Sequence, residues 1–220
     1  MGDKQYMLDQ IKAKITEGYR CIKIKVAALD FNQECEVLKA IRNEYNEYEI
    51  ELRLDANGGF TLDEVEEKLK RLSEFSIHSI EQPIATNQWV KMASIVDLGI
   101  IDIALDEELI GVTSQETKVE MLSAIHPKYV ILKPSLLGGY KEGEDWISIA
   151  ESMNIDWWIT SALESNIGLN AISQWTASLD SQRPQGLGTG QLFKNNIPSP
   201  LYIDNGHLYY GQESWVLPIS

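Results

Sequence analysis

The chain has 220 residues, 44% hydrophobic and 24% charged, with a formal net charge of −14. These are globular proportions, enough for one domain with a sizeable core. An acidic chain without a Lys/Arg cluster excludes the basic patch that a nucleic-acid or anionic-membrane partner requires.

The N-terminus, MGDKQYMLDQIKAK, opens as an amphipathic helix and not as a signal peptide. No apolar run is long enough to span a bilayer, so a soluble, cytoplasmic protein is expected. Met7, Leu8, Ile11 and Ile15 give residues 6–16 a helical period, and Gly18 stops that helix before a strand over 20–26. A helix over 32–45 leads to a strand over 49–55. Thr61 then caps a helix reaching residue 71, with Glu64 placed for a capping box. Further strands are expected at 79–82, 102–106, 129–133 and 156–161, with a short last one at 186–187, making seven. In the segment LYIDNGHLYYG an Asn-Gly pair between alternating apolar residues predicts a hairpin outside the repeat. Cys21 and Cys35 form no CxxC and read as inert thiols of a cytosolic protein.

Five charged residues close the apolar runs IKIK, ELRLD, HSIE, DIALD and YVILK: Lys25, Asp55, Glu81, Asp106 and Lys133, spaced 30, 26, 25 and 27 residues apart. That interval is one strand plus one helix. Continuous apolar runs alternating with helical stretches predict an α/β chain of the (β/α) barrel type, whose parallel strand ends converge on one catalytic face. A closed barrel needs eight strands. Because the chain begins on a helix that would follow a strand, the missing one is the first, and its loss leaves an unpaired edge.

A lone carboxylate after a strand is commonly a helix cap or a surface charge, but three at matching places in consecutive units ask for another explanation. Asp55, Glu81 and Asp106 suit one hard divalent cation, Mg²⁺ or alternatively Mn²⁺, whereas Zn²⁺ usually takes Cys or His. Lys23 and Lys25 lie two apart on one strand and face the same side of the sheet. Lys133 lies beyond the carboxylates, with Pro134 next to it and a glycine turn ahead. A lysine beside a divalent metal and a second lysine has a lowered pKa and takes up a proton at neutral pH. Such a site removes a carbon-bound proton next to a substrate carboxylate and stabilises the enediolate, as enolase-type sites do.

The segments KIKV, LRLDANGGF, SIEQP, IALDEEL and VILKPSLLGG resemble the barrel motifs of the muconate-lactonizing subgroup of the enolase superfamily. The resemblance runs from about residue 5 to 193. It implies a (β/α)7β barrel lacking its first strand and the N-terminal capping domain. Residues 1–193 would then be the incomplete catalytic barrel, and 194–220 a tail returning to the absent cap, an intramolecular partner. Within the subgroup, TSALESNIGL and QGLGTG are most similar to the menaquinone-pathway branch. That implies a Mg-dependent lyase dehydrating 2-succinyl-6-hydroxy-2,4-cyclohexadiene-1-carboxylate to o-succinylbenzoate. By this resemblance Asp55, Glu81 and Asp106 bind Mg²⁺, Lys25 is general base and then acid, Lys133 stabilises the enediolate, and Lys23 assists Lys25. Asn57 and Glu107 would support the ligands, Ser161 would line the pocket of the small-molecule carboxylate, and Glu164 would cap or orient the next helix.

N-acylamino acid racemisation shares the opposed lysines and is the runner-up. A dipeptide epimerase usually carries Asp-x-Asp where this chain has GLGTG. A Schiff-base aldolase would use the lysines but leave the carboxylates unexplained, and a non-catalytic barrel fragment would be a scaffold. Without a cap, Leu201, Tyr202, Ile203, Tyr209, Tyr210 and Trp215 are expected to be under-buried, and the isolated chain to self-associate.

Overall fold

The computed structural model describes residues 4–216; the outermost residues of the two expected units, 1–3 and 217–220, lie outside them. Helix α1 (Lys4–Thr16) is followed by β1 (Cys21–Lys25), α2 (Phe31–Glu44), β2 (Glu51–Asp55), α3 (Val65–Ser73) and β3 (Ser79–Glu81). Then come α4 (Trp89–Asp97), β4 (Ile103–Leu105), α5 (Gln115–Ile125), β5 (Tyr129–Leu132), α6 (Pro134–Leu137), α7 (Tyr140–Ser152), β6 (Asp156–Ile159) and α8 (Asn166–Ser178). Strands β7 (Leu201–Asp204) and β8 (His207–Tyr210) close the series.

β1 to β6 form one parallel sheet in chain order. Residues such as Leu52, Leu54, Ile80, Leu105 and Val130 are wholly buried between sheet and helices, while Ala104, Tyr129, Ile131 and Trp158 form a separate cluster. Alternating side chains therefore supply two apolar layers, as a sheet covered on both faces requires. The sheet is strongly curled. In a flat sheet β2 and β6, four places apart, would be about 19 Å from each other, yet the Arg53 guanidinium lies 4.1 Å from the centre of the Trp158 ring.

The seventh expected strand is only a bridge, Thr160 to Gly186, held by Gly186 N–H to Ile159 C=O at 2.8 Å and Ser161 N–H to Gly186 C=O at 3.2 Å. A Cβ on Gly186 would stand 2.3 Å from Thr160 Oγ1, so the close approach demands glycine. A 3₁₀ turn at Gly188–Leu192 follows at once and ends the ladder. Among the described residues β1 has one strand neighbour, β2.

The hairpin stands apart as expected, with Asn205 and Gly206 both at positive φ between paired Asp204 and His207. Its tip presses on the α1–β1 turn, where a Cβ on Gly206 would lie 2.6 Å from Gly18 O. Tyr202, Tyr209 and Tyr210 are 52%, 44% and 55% exposed, whereas Leu201, Ile203 and Trp215 are half-buried. The capping box at Thr61 is only half formed. α3 starts at Val65, and the Thr61 hydroxyl donates to Glu64 Oε2 at 2.7 Å while Glu64 also accepts the Thr61 N–H. No helix among the described residues is long and apolar enough to cross a membrane.

Candidate active site

Parallel register sets Lys25 beside Asp55 and Asp55 beside Glu81, so three charged side chains form one row at the ends of β1, β2 and β3. Asp106 follows β4 directly and Lys133 follows β5. Each strand stops here for a local reason: Asn57 turns at φ 44°, Gln82 at φ 36°, and Pro134 opens α6. In strand order the three carboxylates stand between Lys25 and Lys133.

Asp55, Glu81 and Asp106 are buried, at 1%, 0% and 2% exposure. Lys23 Nζ donates to Asp55 Oδ2 at 2.9 Å and to Glu81 Oε2 at 3.0 Å, and Lys133 is ion-paired with Asp106. Lys25 Nζ donates to Asn57 Oδ1 at 2.6 Å and stands 3.5 Å from Asp55 Oδ2. Asn57 in turn donates to Glu107 Oε1 at 2.8 Å. Asn57 and Glu107 therefore link the lysine strand to the Asp106 loop.

Burial pushes the Glu81 carboxyl up to about 7; Lys23 opposes this and Asp55 adds to it. Burial also raises Asp106 against the pull of Lys133. Asp55 is held low: burial works against its ionisation, but Lys23 first and then Lys25 outweigh it. A lysine of lowered pKa is not found at Lys23. Burial alone would lower it, and Glu81 and Asp55 together raise it instead.

Glu81 Oε1 and Glu107 Oε2 are buried without a hydrogen-bond partner among the described residues. The donor set is all carboxylate oxygen, and a buried oxygen without a partner in that row fits a hard cation. As the side chains stand, no three His, Cys, Asp or Glu residues among those described form a ready metal cluster, because the lysines hold the carboxylates. Any cation held by these carboxylates would have to displace the ammonium groups of Lys23 and Lys133.

Ser161 is buried, accepting the Leu163 N–H at 2.9 Å and the Thr189 hydroxyl at 2.7 Å. Glu164 does not cap α8; Ser165 holds the N-cap position. The Glu164 carboxylate turns back to accept the Ala162 N–H at 2.9 Å and the Ser135 hydroxyl at 2.5 Å, tying the loop after β6 to the residues after Lys133. Sequence reasoning passed over Arg53, buried and stacked on Trp158, and the pair Gln82 and Glu108, whose motifs SIEQP and IALDEEL drew notice only for their acids. A cavity of about 300 Å³ lies between α8 and the hairpin, lined by Leu169, Ile197 and Tyr202, away from the carboxylates.

The curled parallel sheet carries lysines on both flanks of a row of carboxylates at its strand ends, and residues 6–213 match the family described as Enolase C-terminal domain-like, to which the chain belongs. The chain is 51% identical over 208 residues to the o-succinylbenzoate synthase of Desulfotalea psychrophila, covering 94% of this chain and 56% of that protein. The crystal structure of MenC from the same organism superposes with a TM-score of 0.89 over 94% of this chain and 57% of that one. An N-succinylamino acid racemase of Thermus thermophilus is 32% identical over 72% of this chain and 40% of its own length. The chain thus spans about half the length of the curated relatives it matches.

Proposed function

We propose that this chain is the catalytic layer of a Mg²⁺-dependent carbon–oxygen lyase that dehydrates 2-succinyl-6-hydroxy-2,4-cyclohexadiene-1-carboxylate to o-succinylbenzoate. The observation that carries the reading is the placement of Lys25 and Lys133 on opposite flanks of Asp55, Glu81 and Asp106. The relative at 51% identity supports the substrate. The three carboxylates would hold Mg²⁺, or Mn²⁺ in its place, which supplies positive charge where the substrate carboxylate gains electron density.

Lys25, aimed by its hydrogen bond to Asn57, takes the proton from the carbon beside the carboxylate. The electron pair moves toward the carboxylate, where the Lys133 ammonium offsets the new charge. Lys25, now an ammonium, returns that proton to the departing hydroxyl, which leaves as water while the ring becomes aromatic. Lys23, bonded to Asp55 and Glu81, favours the ionised form of both acids and holds them in place. Ser161 and the loop beyond it would border the substrate, and a capping domain would close the mouth, the exposed tyrosines of the hairpin lying toward it.

In the full-length protein, Lys25→Ala is expected to lower turnover about 10³-fold while Mg²⁺ still binds, read from the absorbance of the aromatic product and by calorimetry. Retained turnover would remove Lys25 from the role of base. The second reading, N-acylamino acid racemisation, rests on the same two-sided lysines and on the racemase at 32% identity. Its mark is a Lys133→Ala variant that still exchanges the α-hydrogen with deuterated water but no longer inverts the centre.

A further inference from the structure

Gln82 is wholly buried and sits at φ 36°, a left-handed conformation unusual for a residue with a side chain. Every polar group it owns is used. Its N–H donates to Ala104 C=O at 2.9 Å, and its C=O accepts the Gly58 N–H, on the loop after Asp55, at 2.7 Å. Its side-chain Oε1 accepts the N–H of Asp106 at 3.4 Å and of Glu108 at 3.3 Å. Its Nε2 donates to Ile84 C=O at 3.1 Å and to Glu108 Oε2 at 3.0 Å. Two backbone donors on one side and a carboxylate with a carbonyl on the other leave the amide a single orientation.

Glu108 secures that orientation. It is 5% exposed, and its Oε1 accepts the Asn87 N–H at 2.8 Å and the Trp89 Nε1–H at 2.9 Å while Oε2 takes the Gln82 amide. Neither side chain is a candidate ligand, yet Gln82 adjoins Glu81, binds the Asp106 backbone and binds the loop that follows Asp55. We propose that Gln82, oriented by Glu108, is the positioning residue that sets the three carboxylates at a common separation for a divalent cation. The inference rests on the reading that these acids hold the cation.

Glu108→Gln turns an amide N–H₂ toward the Gln82 N–H₂. To avoid that clash Gln82 must rotate, which points its own N–H₂ at the N–H groups of Asp106 and Glu108. The reciprocal pair Gln82→Glu with Glu108→Gln restores a carboxylate facing an amide and keeps an acceptor for both backbone donors, while the donor to Ile84 C=O is replaced by a carboxylate oxygen that must shift away from that carbonyl. The test is Mg²⁺ titration by calorimetry on the full-length protein, wild type against Q82E, E108Q and Q82E/E108Q, with thermal unfolding measured beside it. Each single variant is expected to bind Mg²⁺ at least about tenfold more weakly, the scale of outer-shell losses, and the double variant to recover most of the loss. Trp89→Phe removes one donor to Glu108 from outside the carboxylate loops and should weaken Mg²⁺ about threefold; it serves if a buried single variant does not fold. Single variants that melt earlier but bind Mg²⁺ as the wild type does would overturn the positioning role and leave the metal reading standing. A wild type that binds no Mg²⁺ would overturn both.

Discussion

Glu81→Gln should stabilise the metal-free protein, and only above a definite pH. The carboxyl is wholly buried, and burial raises its pKa from 4.5 to about 7. At about 1.4 kcal/mol per pH unit, that rise amounts to about 3 kcal/mol. Below pH 4.5 the group is protonated in the folded and unfolded chains alike, and its folded-state contribution is fully present. Between 4.5 and 7 the folded chain keeps a proton that the unfolded chain has released, so stability falls as pH rises. Above pH 7 the loss is complete. Gln is an uncharged isostere of the protonated acid, so the variant should match the wild type near pH 4.5 and exceed it by about 3 kcal/mol at pH 8. Asp55, held low, works in the opposite sense around and below its usual 3.8 and is shared by both proteins. The assay is urea unfolding in EDTA at both pH values. Adding Mg²⁺ at a hundred times its dissociation constant should return about 2.7 kcal/mol to the wild type alone. A stability difference that is the same at pH 4.5 and pH 8, or a Gln variant weaker at pH 8, would refute the reasoning.

Lys118 is 1% exposed, ion-paired with Glu142 across α5 and α7, and lies 5.2 Å from the Trp146 ring centre. Glu142→Ala should cost about 3 kcal/mol in chemical unfolding, whereas the double change to Lys118→Met with Glu142→Ala should restore most of it, because an unpaired buried ammonium costs more than no ion. Gly186→Ala forces a Cβ to within 2.3 Å of Thr160 Oγ1 and should cost about 2 kcal/mol of stability with loss of amide protection at Gly186 and Ser161. Burial pushes the Cys21 thiol up to about 12, so in the native protein at pH 8 iodoacetamide should leave it unmodified, as mass spectrometry of the digest would read.

The strand-end charges could be read from the sequence because each closes a short apolar run, whereas Arg53, a charge inside β2, is accommodated by stacking on Trp158, which the sequence does not reveal. The Asn205–Gly206 turn was equally legible, its residue types matching the φ values the hairpin needs. The short strand expected at 186–187 is reduced to a single parallel bridge at Gly186. Only the close approach to Thr160 shows why glycine is there, and the 3₁₀ turn that follows ends the ladder. Glu164 stands in a cap-like place before a helix, and the Ser135 hydroxyl that draws it backward is 29 residues away. Gln82 left a usable signal: a glutamine next to a buried acid on a strand faces away from that acid and must find partners in the neighbouring loop. Lys118 left none, since at helical spacing it resembles any surface lysine.

The order of strands in the sheet is their order in the chain, and this governs how the charges could be assembled as the protein folds. Each strand docks on the one before it, so loop closure stays local and its entropy cost rises only slowly with each added unit. The ion pairs follow the same grouping. Lys23 reaches Asp55 and Glu81 once β1 to β3 have met, and Lys133 reaches Asp106 once β5 joins β4. Neither half of the site therefore has to wait, with a bare carboxylate already out of water, for a counter-charge from the far end of the polypeptide. The contacts that do join distant ends, such as Arg53 on Trp158 and the hairpin tip on Gly18, lie outside the carboxylate row, so pairing of the acids does not depend on them.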